Sequence, residues 1–290
     1  MKSAVYVKGK KQEAGAGLNN FPEEEIGIFE TLRVYSGKIF RLEEHLDRLE
    51  ESAKTSGYTF PLNRKVLRGE VVKAVHASGQ KEAFVRVTLL QGQAFVFVGE
   101  RTHSEALYRK GVCLQTTAVK RLASNASFPE AKTTAYQNGV LASLEVRSDA
   151  TYEWLFLDQA GYVTEVRIGN LFMVASGNPN SKLELQTPPL VGILNGVTRR
   201  FVIECARDLG IPVRESPLTR HDIFNAGEAF LTNTSWEILP VRALDGRLIG
   251  RGIPGKLTLK LHKHFKKKVA RECQRSSYAA PSSASRIKQG

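Results

Sequence analysis

"PEAKTTAYQNGVLASLEV", residues 129–146, sets a lysine, Lys132, just ahead of a stretch with helical apolar spacing. Tyr136, Val140, Leu141 and Leu144 recur at that spacing, which predicts a helix with one face packed inward. A lysine at the entrance of a helix ordinarily has polar neighbours. Here they are Thr133, Thr134, Ala135 and Tyr136. Either Lys132 is a solvated side chain on a loop, or the chain delivers an amine into a pocket.

Upstream, "GIFETLRVYSGKIFRLEEHLDRLEESAKTS" (27–56) reads as strand, turn, short strand and helix. Leu42, Leu46, Leu49 and Ala53 mark the helix face and Gly57 its stop. "AFVRVTLLQGQAFVFV" (83–98) reads as two strands around a glycine turn. Residues 116–131 lose periodicity and collect small and polar residues, the composition of an interdomain linker. Downstream, strands and turns alternate through "EWLFLDQAGYVTEVRIGNLFMVAS". "GVTRRFVIECARDLG" follows as a helix, and "EAFLTNTSWEILPVRALDGRLIG" closes with strands around a DG turn. Strands and helices mix without a regular βαβ beat, so the expected class is α+β. The expected organisation is a small N-terminal domain (1–115), a linker (116–131), a large C-terminal domain (132–273) and a disordered basic tail (274–290).

The 290 residues are 42% apolar and 24% charged, enough for a large core. No apolar run approaches a membrane span, and "MKSAVYVKGKK" does not read as a signal peptide. Cys113, Cys205 and Cys273 are far apart and odd in number, which points to a reducing cytoplasm. Of the net charge of +13, residues 256–290 carry +9, from ten Lys or Arg and one acidic residue. Within them Leu257, Leu261, Phe265 and Val269 predict a last helix with an apolar stripe. Its basic residues read first as a solvated face, with a polyanion or nucleic-acid partner the less favoured alternative.

Several segments carry possible chemistry, each with a bland reading beside it. "NGVTRR" starts a helix at Gly196, Val197 and Thr198, either a phosphate seat or a Thr-capped terminus. Arg48 lies off the leucine stripe and is either an anion ligand or the surface partner of Glu44. Glu165, after "YVT", is a buried acid or an exposed strand charge, and "TNTS" (232–235) is a donor cluster or a plain turn. An amine, an acid, an arginine and two sets of phosphate donors are together what pyridoxal phosphate requires. No metal site is expected.

The order of these stretches resembles the class IV (fold type IV) pyridoxal-phosphate enzymes. These include branched-chain aminotransferases, D-amino-acid aminotransferases and 4-amino-4-deoxychorismate lyases. The resemblance rests on "GIFETLRVYSGKIFRLEEHLDRL", "AKTTAYQNGVLASLEV", "LFLDQAGYVTEVRIGNLFMV", "TPPLVGILNGVTRRFVIECARDLGIPV" and "EAFLTNTSWEILPV". It implies a two-domain fold with the site between the domains, a homodimer, and pyridoxal 5'-phosphate as cofactor. By position it makes Lys132 the covalent lysine and Glu165 the partner of the ring nitrogen. Arg48, Val197, Thr198, Asn233 and Thr234 would hold the phosphate, Tyr136 the phenolic oxygen, and Asn170 would complete the cofactor site. Phe29, Thr31, Arg167 and Trp236 would face a small amino substrate.

Two departures bear on the reaction. The region before "GIFET" is the acidic, glycine-poor "NNFPEEEIG", and Val166, Arg167 and Ile168 stand where relatives have small residues after the acid. In "NTSWE", Trp236 replaces the second alanine of the branched-chain enzymes' turn and would obstruct a substrate carboxylate if it pointed inward; otherwise it is core. With Thr31 it leans toward the lyase, which releases pyruvate and p-aminobenzoate for folate synthesis. The alternative is an amino-acid aminotransferase using 2-oxoglutarate, and the remote one an inactive basic binding protein.

Overall fold

The computed structural model describes the chain except residues 1–2, 8–9, 13–26, 61–62, 91, 101–102, 122–128, 136, 146–149, 176–182 and 276–290. Two sheets organise it. The first contains β1 (Ser3–Val7), β2 (Lys10–Gln12), β3 (Ile28–Tyr35), β4 (Lys38–Ile39), β5 (Ala83–Leu90) and β6 (Gln93–Gly99), in the antiparallel order β2-β1-β6-β5-β3-β4. Helices α1 (Leu42–Thr55) and α2 (Arg64–Ser78) cover it. Leu42, Leu46, Leu49 and Ala53 are buried against this sheet as their spacing predicts, and Gly57 takes positive φ beyond the helix. Ser36 and Gly37 both take positive φ, the conformation a tight hairpin between right-twisted strands requires.

After α3 (Glu105–Lys110) the second sheet begins with β7 (Val112–Lys120). It continues through α4 (Gln137–Leu144), β8 (Thr151–Leu157), β9 (Val163–Val166), β10 (Asn170–Val174), β11 (Leu185–Thr187), α5 (Val197–Asp208) and β12 (Val213–Glu215). It ends with α6 (Arg220–Phe224), β13 (Glu228–Asn233), β14 (Glu237–Leu244), β15 (Arg247–Leu248) and α7 (Lys256–Arg275). The order is β12-β11-β10-β13-β14-β7-β8-β9, with β15 on β14; β7 runs parallel to both its neighbours, so parallel and antiparallel pairs mix. The class is α+β. Helices α5 and α7 share a core with Phe172, Phe230 and Ile238, into which α7 sends Leu257, Leu261, Phe265, Val269 and Cys273.

Three segments differ from their sequence reading. Residues 116–120 of the expected linker belong to β7, whose inward Val112 and Leu114 are followed by the polar Thr116 and by Thr117, which is itself buried. Helix α4 is turned the other way: Val140, Leu141 and Leu144 are exposed, while Ala142 packs on Trp154 and Phe156. Small residues let α4 lie close to the sheet, so its large side chains point out. The part of the expected disordered tail from 276 onward lies outside the described residues, and Gln274 and Arg275 are the end of α7.

Candidate active site

Lys132 is fixed through its backbone. Its N–H donates to Ser52 Oγ of α1 (3.0 Å), and its carbonyl accepts from Phe29 N–H of β3 (3.0 Å). Beside it, Thr134 N–H donates to the Gly27 carbonyl (2.8 Å) and Thr134 Oγ1 accepts from Gly27 N–H (2.9 Å). The threonine hydroxyl thus ties this segment to the start of β3 rather than leaving space beside the lysine. The amine projects over the Phe29 ring, 4.7 Å from its centroid, into a cleft of about 680 Å³. Burial, with the Arg48 charge added, pushes Lys132 down to about 8, the nearby Glu30 and Glu165 offsetting part of this. An amine so placed has a minor neutral, nucleophilic fraction near neutral pH, far larger than that of an ordinary lysine, and is half neutral near pH 8.

Glu165 lines the same cleft from β9, a strand buried along its whole length. Its carboxylate accepts from Arg121 Nη2 (2.8 Å), Asn170 Nδ2 (3.3 Å) and Leu194 N–H (3.4 Å). Burial nevertheless pushes it up to about 7, against the opposing pull of Arg121 and Leu194 N–H. Asn170 also donates to the Leu194 carbonyl (3.0 Å), tying the acid to the segment that enters α5. The exposed-strand reading of Glu165 is therefore replaced.

At α5 the N-cap is Gly196, with no side-chain cap, so Thr198 does not cap the helix and its first N–H groups face the cleft without a side-chain acceptor. A Cβ at Gly196 would collide with Asn170 Oδ1, so this approach requires glycine. Arg48 reaches the same end, donating to the Asn195 carbonyl (2.9 Å). It does not pair with Glu44, which binds Arg41 and Arg200. Its partner is buried Glu30, through Nε (2.6 Å) and Nη2 (2.8 Å), and His45 Nδ1 lies 2.7 Å from the same carboxylate. Burial alone would raise Glu30, but Arg48 and His45 outweigh it and hold the carboxyl well below its usual range. Three of the guanidinium's five N–H donors are engaged in these bonds, and two remain on a side chain that lines the cleft.

The turn after β13 is an Asx structure. Asn233 Oδ1 accepts from Ser235 N–H (2.8 Å) and Trp236 N–H (2.6 Å), and Asn233 Nδ2 donates to the Ile168 carbonyl (3.0 Å). Asn233 is thus occupied in shaping the turn, and Thr234 is the donor it presents at the cleft. Trp236 points the other way, 2% exposed in the second sheet's core with its ring 5.7 Å from that of Tyr152. It obstructs nothing in the cleft. Trp236→Ala is expected to cost about 3–5 kcal/mol of stability while leaving cleft chemistry largely intact; urea unfolding monitored by circular dichroism measures this.

Phe29, Thr31 and Arg167 line the cleft as expected, and Tyr136 lies outside the described residues. Arg167 donates to Glu153 (3.1 Å), which limits its reach. Sequence reading missed Arg121, Glu30, His45 and Arg86, the last lining the cleft with its guanidinium 3.8 Å from the Phe29 ring centroid. For Glu30 a signal exists: it falls in phase with Ile28, Leu32 and Val34, the inward face of β3.

The cleft passes the physical test for pyridoxal phosphate. It holds a reactive amine, a buried acid and an uncapped helix start beside an arginine. The buried Thr232 hydroxyl on its wall has no hydrogen-bond partner among the described residues. The family profile described as Amino-transferase class IV matches residues 27–244. The chain belongs to the class IV aminotransferase family. It is accordingly a pyridoxal-phosphate-dependent enzyme. A Methanocaldococcus jannaschii protein, named provisionally as a branched-chain-amino-acid aminotransferase, is 34% identical over 279 residues, covering 90% of this chain and 95% of its own. The Pseudomonas aeruginosa branched-chain-amino-acid aminotransferase is 31% identical over 260 residues, 83% of each chain. Among solved structures, the branched-chain aminotransferase from the thermophilic archaeon Thermoproteus uzoniensis, with norvaline, superposes with a TM-score of 0.80 at 30% identity, covering 94% of this chain and 96% of its own. Another branched-chain amino acid aminotransferase, solved with pyridoxamine 5'-phosphate, superposes with a TM-score of 0.82 at 28% identity and 96% coverage of both chains.

Proposed function

We propose that this aminotransferase moves the amino group of a branched-chain amino acid to a 2-oxo acid, and that the lyase reading is the weaker one. The observation that carries this is Trp236. Part of the lyase argument placed an indole in the cleft, and the ring is in the core; Thr31, its other support, stays on the cleft wall. The curated relatives that match over most of their length carry the branched-chain name. Bound pyridoxal phosphate supplies an electron sink for charge developing at the substrate's α-carbon. Lys132 is assigned as the cofactor's covalent anchor and as the base that takes and returns the α-proton. Glu165, held by Arg121 and Asn170, is assigned to the ring nitrogen. The α5 start at Val197 and Thr198, Arg48 and Thr234 are assigned to the phosphate. Arg86 and Arg167 bring positive charge to the substrate carboxylate, and Phe29 and Ile168 bring apolar surface to its side chain. Incubation with L- and D-amino acids plus 2-oxoglutarate, and separately with aminodeoxychorismate, tests the reading. Branched-chain 2-oxo acids are expected; p-aminobenzoate in their place would reverse it.

Only the neutral amine attacks an aldehyde. Uptake of pyridoxal phosphate by cofactor-free protein should therefore accelerate with rising pH and reach half its maximum near the Lys132 value of about 8. Stopped-flow absorbance across pH 6–10 reads this, and a midpoint at the ordinary lysine value would mean a solvated side chain.

We also assign a homodimer, which gives the exposed Val140, Leu141 and Leu144 of α4 a partner surface close to Lys132. Replacing Leu141 and Leu144 together by Asp should shift the sedimenting species toward monomer, whereas an unchanged species would place the dimer contact elsewhere.

A further inference from the structure

Helix α7 has a second face that the aminotransferase reading does not use. Lys256, Lys260, Lys263, Lys267, Arg271 and Arg275 are exposed and follow one another at intervals of three or four residues. They lie opposite the buried stripe of Leu257, Leu261, Phe265, Val269 and Cys273. At about 1.5 Å per residue the row is about 28 Å long, with a cation every 5–6 Å or so. The ion pairs of α7 are made by residues off this row: Lys268 with Asp208 (2.8 Å), Glu272 with Arg41 (3.0 Å) and His262 with Glu237 (2.8 Å). Among the described residues the six cations of the row have no acidic partner.

We infer that this face binds the phosphate backbone of a nucleic-acid duplex, without sequence preference. Charge and length fit: about 28 Å spans some eight base steps at ~3.4 Å each, and a straight row of long basic side chains laid on the duplex reaches phosphates of both strands where they border a groove. A membrane surface fits poorly, because an interfacial helix needs a free apolar face and that of α7 is consumed in the core. A single strand fits poorly too. Phe265, the one aromatic ring among Phe, Tyr and Trp on α7, is buried, so bases have nothing to stack on. Backbone contacts of this kind position a protein but read no sequence.

The test uses the full-length, cofactor-loaded protein and a fluorescent 24-base-pair DNA duplex, with anisotropy measured at 50, 100 and 200 mM KCl. With about five phosphates neutralised, affinity should fall several hundred-fold between the lowest and highest salt. The combined change Lys260→Gln, Lys263→Gln, Lys267→Gln and Arg271→Gln should weaken binding at 50 mM at least 100-fold and flatten the salt dependence. Transamination and the unfolding midpoint should stay unchanged, since glutamine is a good helix former and these side chains face solvent. Arg286→Gln with Lys288→Gln, beyond α7, should change affinity less than tenfold. No binding at 50 mM, binding indifferent to the fourfold change, or tighter binding to phosphatidylserine vesicles than to the duplex would overturn the inference.

Discussion

Lys132→Ala is expected to lower transamination by four to six orders of magnitude, about 5–8 kcal/mol of transition-state stabilisation. The loss is large because one side chain is assigned two tasks, covalent anchoring and proton transfer. The fold should survive, because the bonds that fix this position, to Ser52 and Phe29, run through its backbone. The variant should unfold at the wild-type denaturant concentration, lack the visible absorption of the covalently loaded protein, and yield no borohydride-fixed cofactor. Activity within tenfold of wild type would remove Lys132 from the chemistry.

Glu165→Gln is expected to slow α-proton transfer about a thousandfold, close to 4 kcal/mol, with the covalent link to Lys132 retained. A carboxylate against the cofactor's ring nitrogen keeps that nitrogen protonated, and an amide supplies no such charge. The carboxyl is pushed well above its ordinary value, up to about 7, as the net of two opposed effects. Burial favours the neutral acid, while Arg121 and Leu194 N–H favour the anion. Its stability linkage has a definite sign. A carboxyl raised above its unfolded value stabilises the fold when protonated, so this contribution fades as pH rises toward 7. Single-turnover rates for wild type and variant separate the catalytic effect from any loss of cofactor. Rates within threefold would return Glu165 to a structural role.

Much of this architecture is legible in the chain, for reasons that differ by element. The faces of α1 and α7 are fixed by leucines at helical spacing, and both are buried as read. Turns at Ser36–Gly37 and Asp245–Gly246 take positive φ at both positions, which the glycine of each pair signals in the sequence. Lys132 and Glu165 meet in one cleft as the family resemblance implied. What failed has physical causes. Periodicity in α4 locates a face without saying which way it points, and the small Gly139 and Ala142 won the inward side. Arg121 is hidden in the sequence because the end of β7 carries threonines and a lysine, a composition shared by linkers and cleft-edge strands. Local spacing offers Arg48 the i, i+4 partner Glu44, whereas its actual partner, Glu30, is 18 residues away on β3. Trp236 is ambiguous in the same way. A turn followed by a strand can present an aromatic to either side of the sheet, and only the core around Tyr152 decides.

A stoichiometric half-reaction tests the central claim most directly. Cofactor-loaded protein is mixed with L-leucine in the absence of any 2-oxo acid, while absorbance and product are followed together. Amino-group transfer at the Lys132 cleft predicts loss of the visible band and release of close to one 4-methyl-2-oxopentanoate per active site, with no further turnover until 2-oxoglutarate is added. An unchanged band with no 2-oxo acid from leucine, alongside pyruvate and p-aminobenzoate from aminodeoxychorismate, would contradict it.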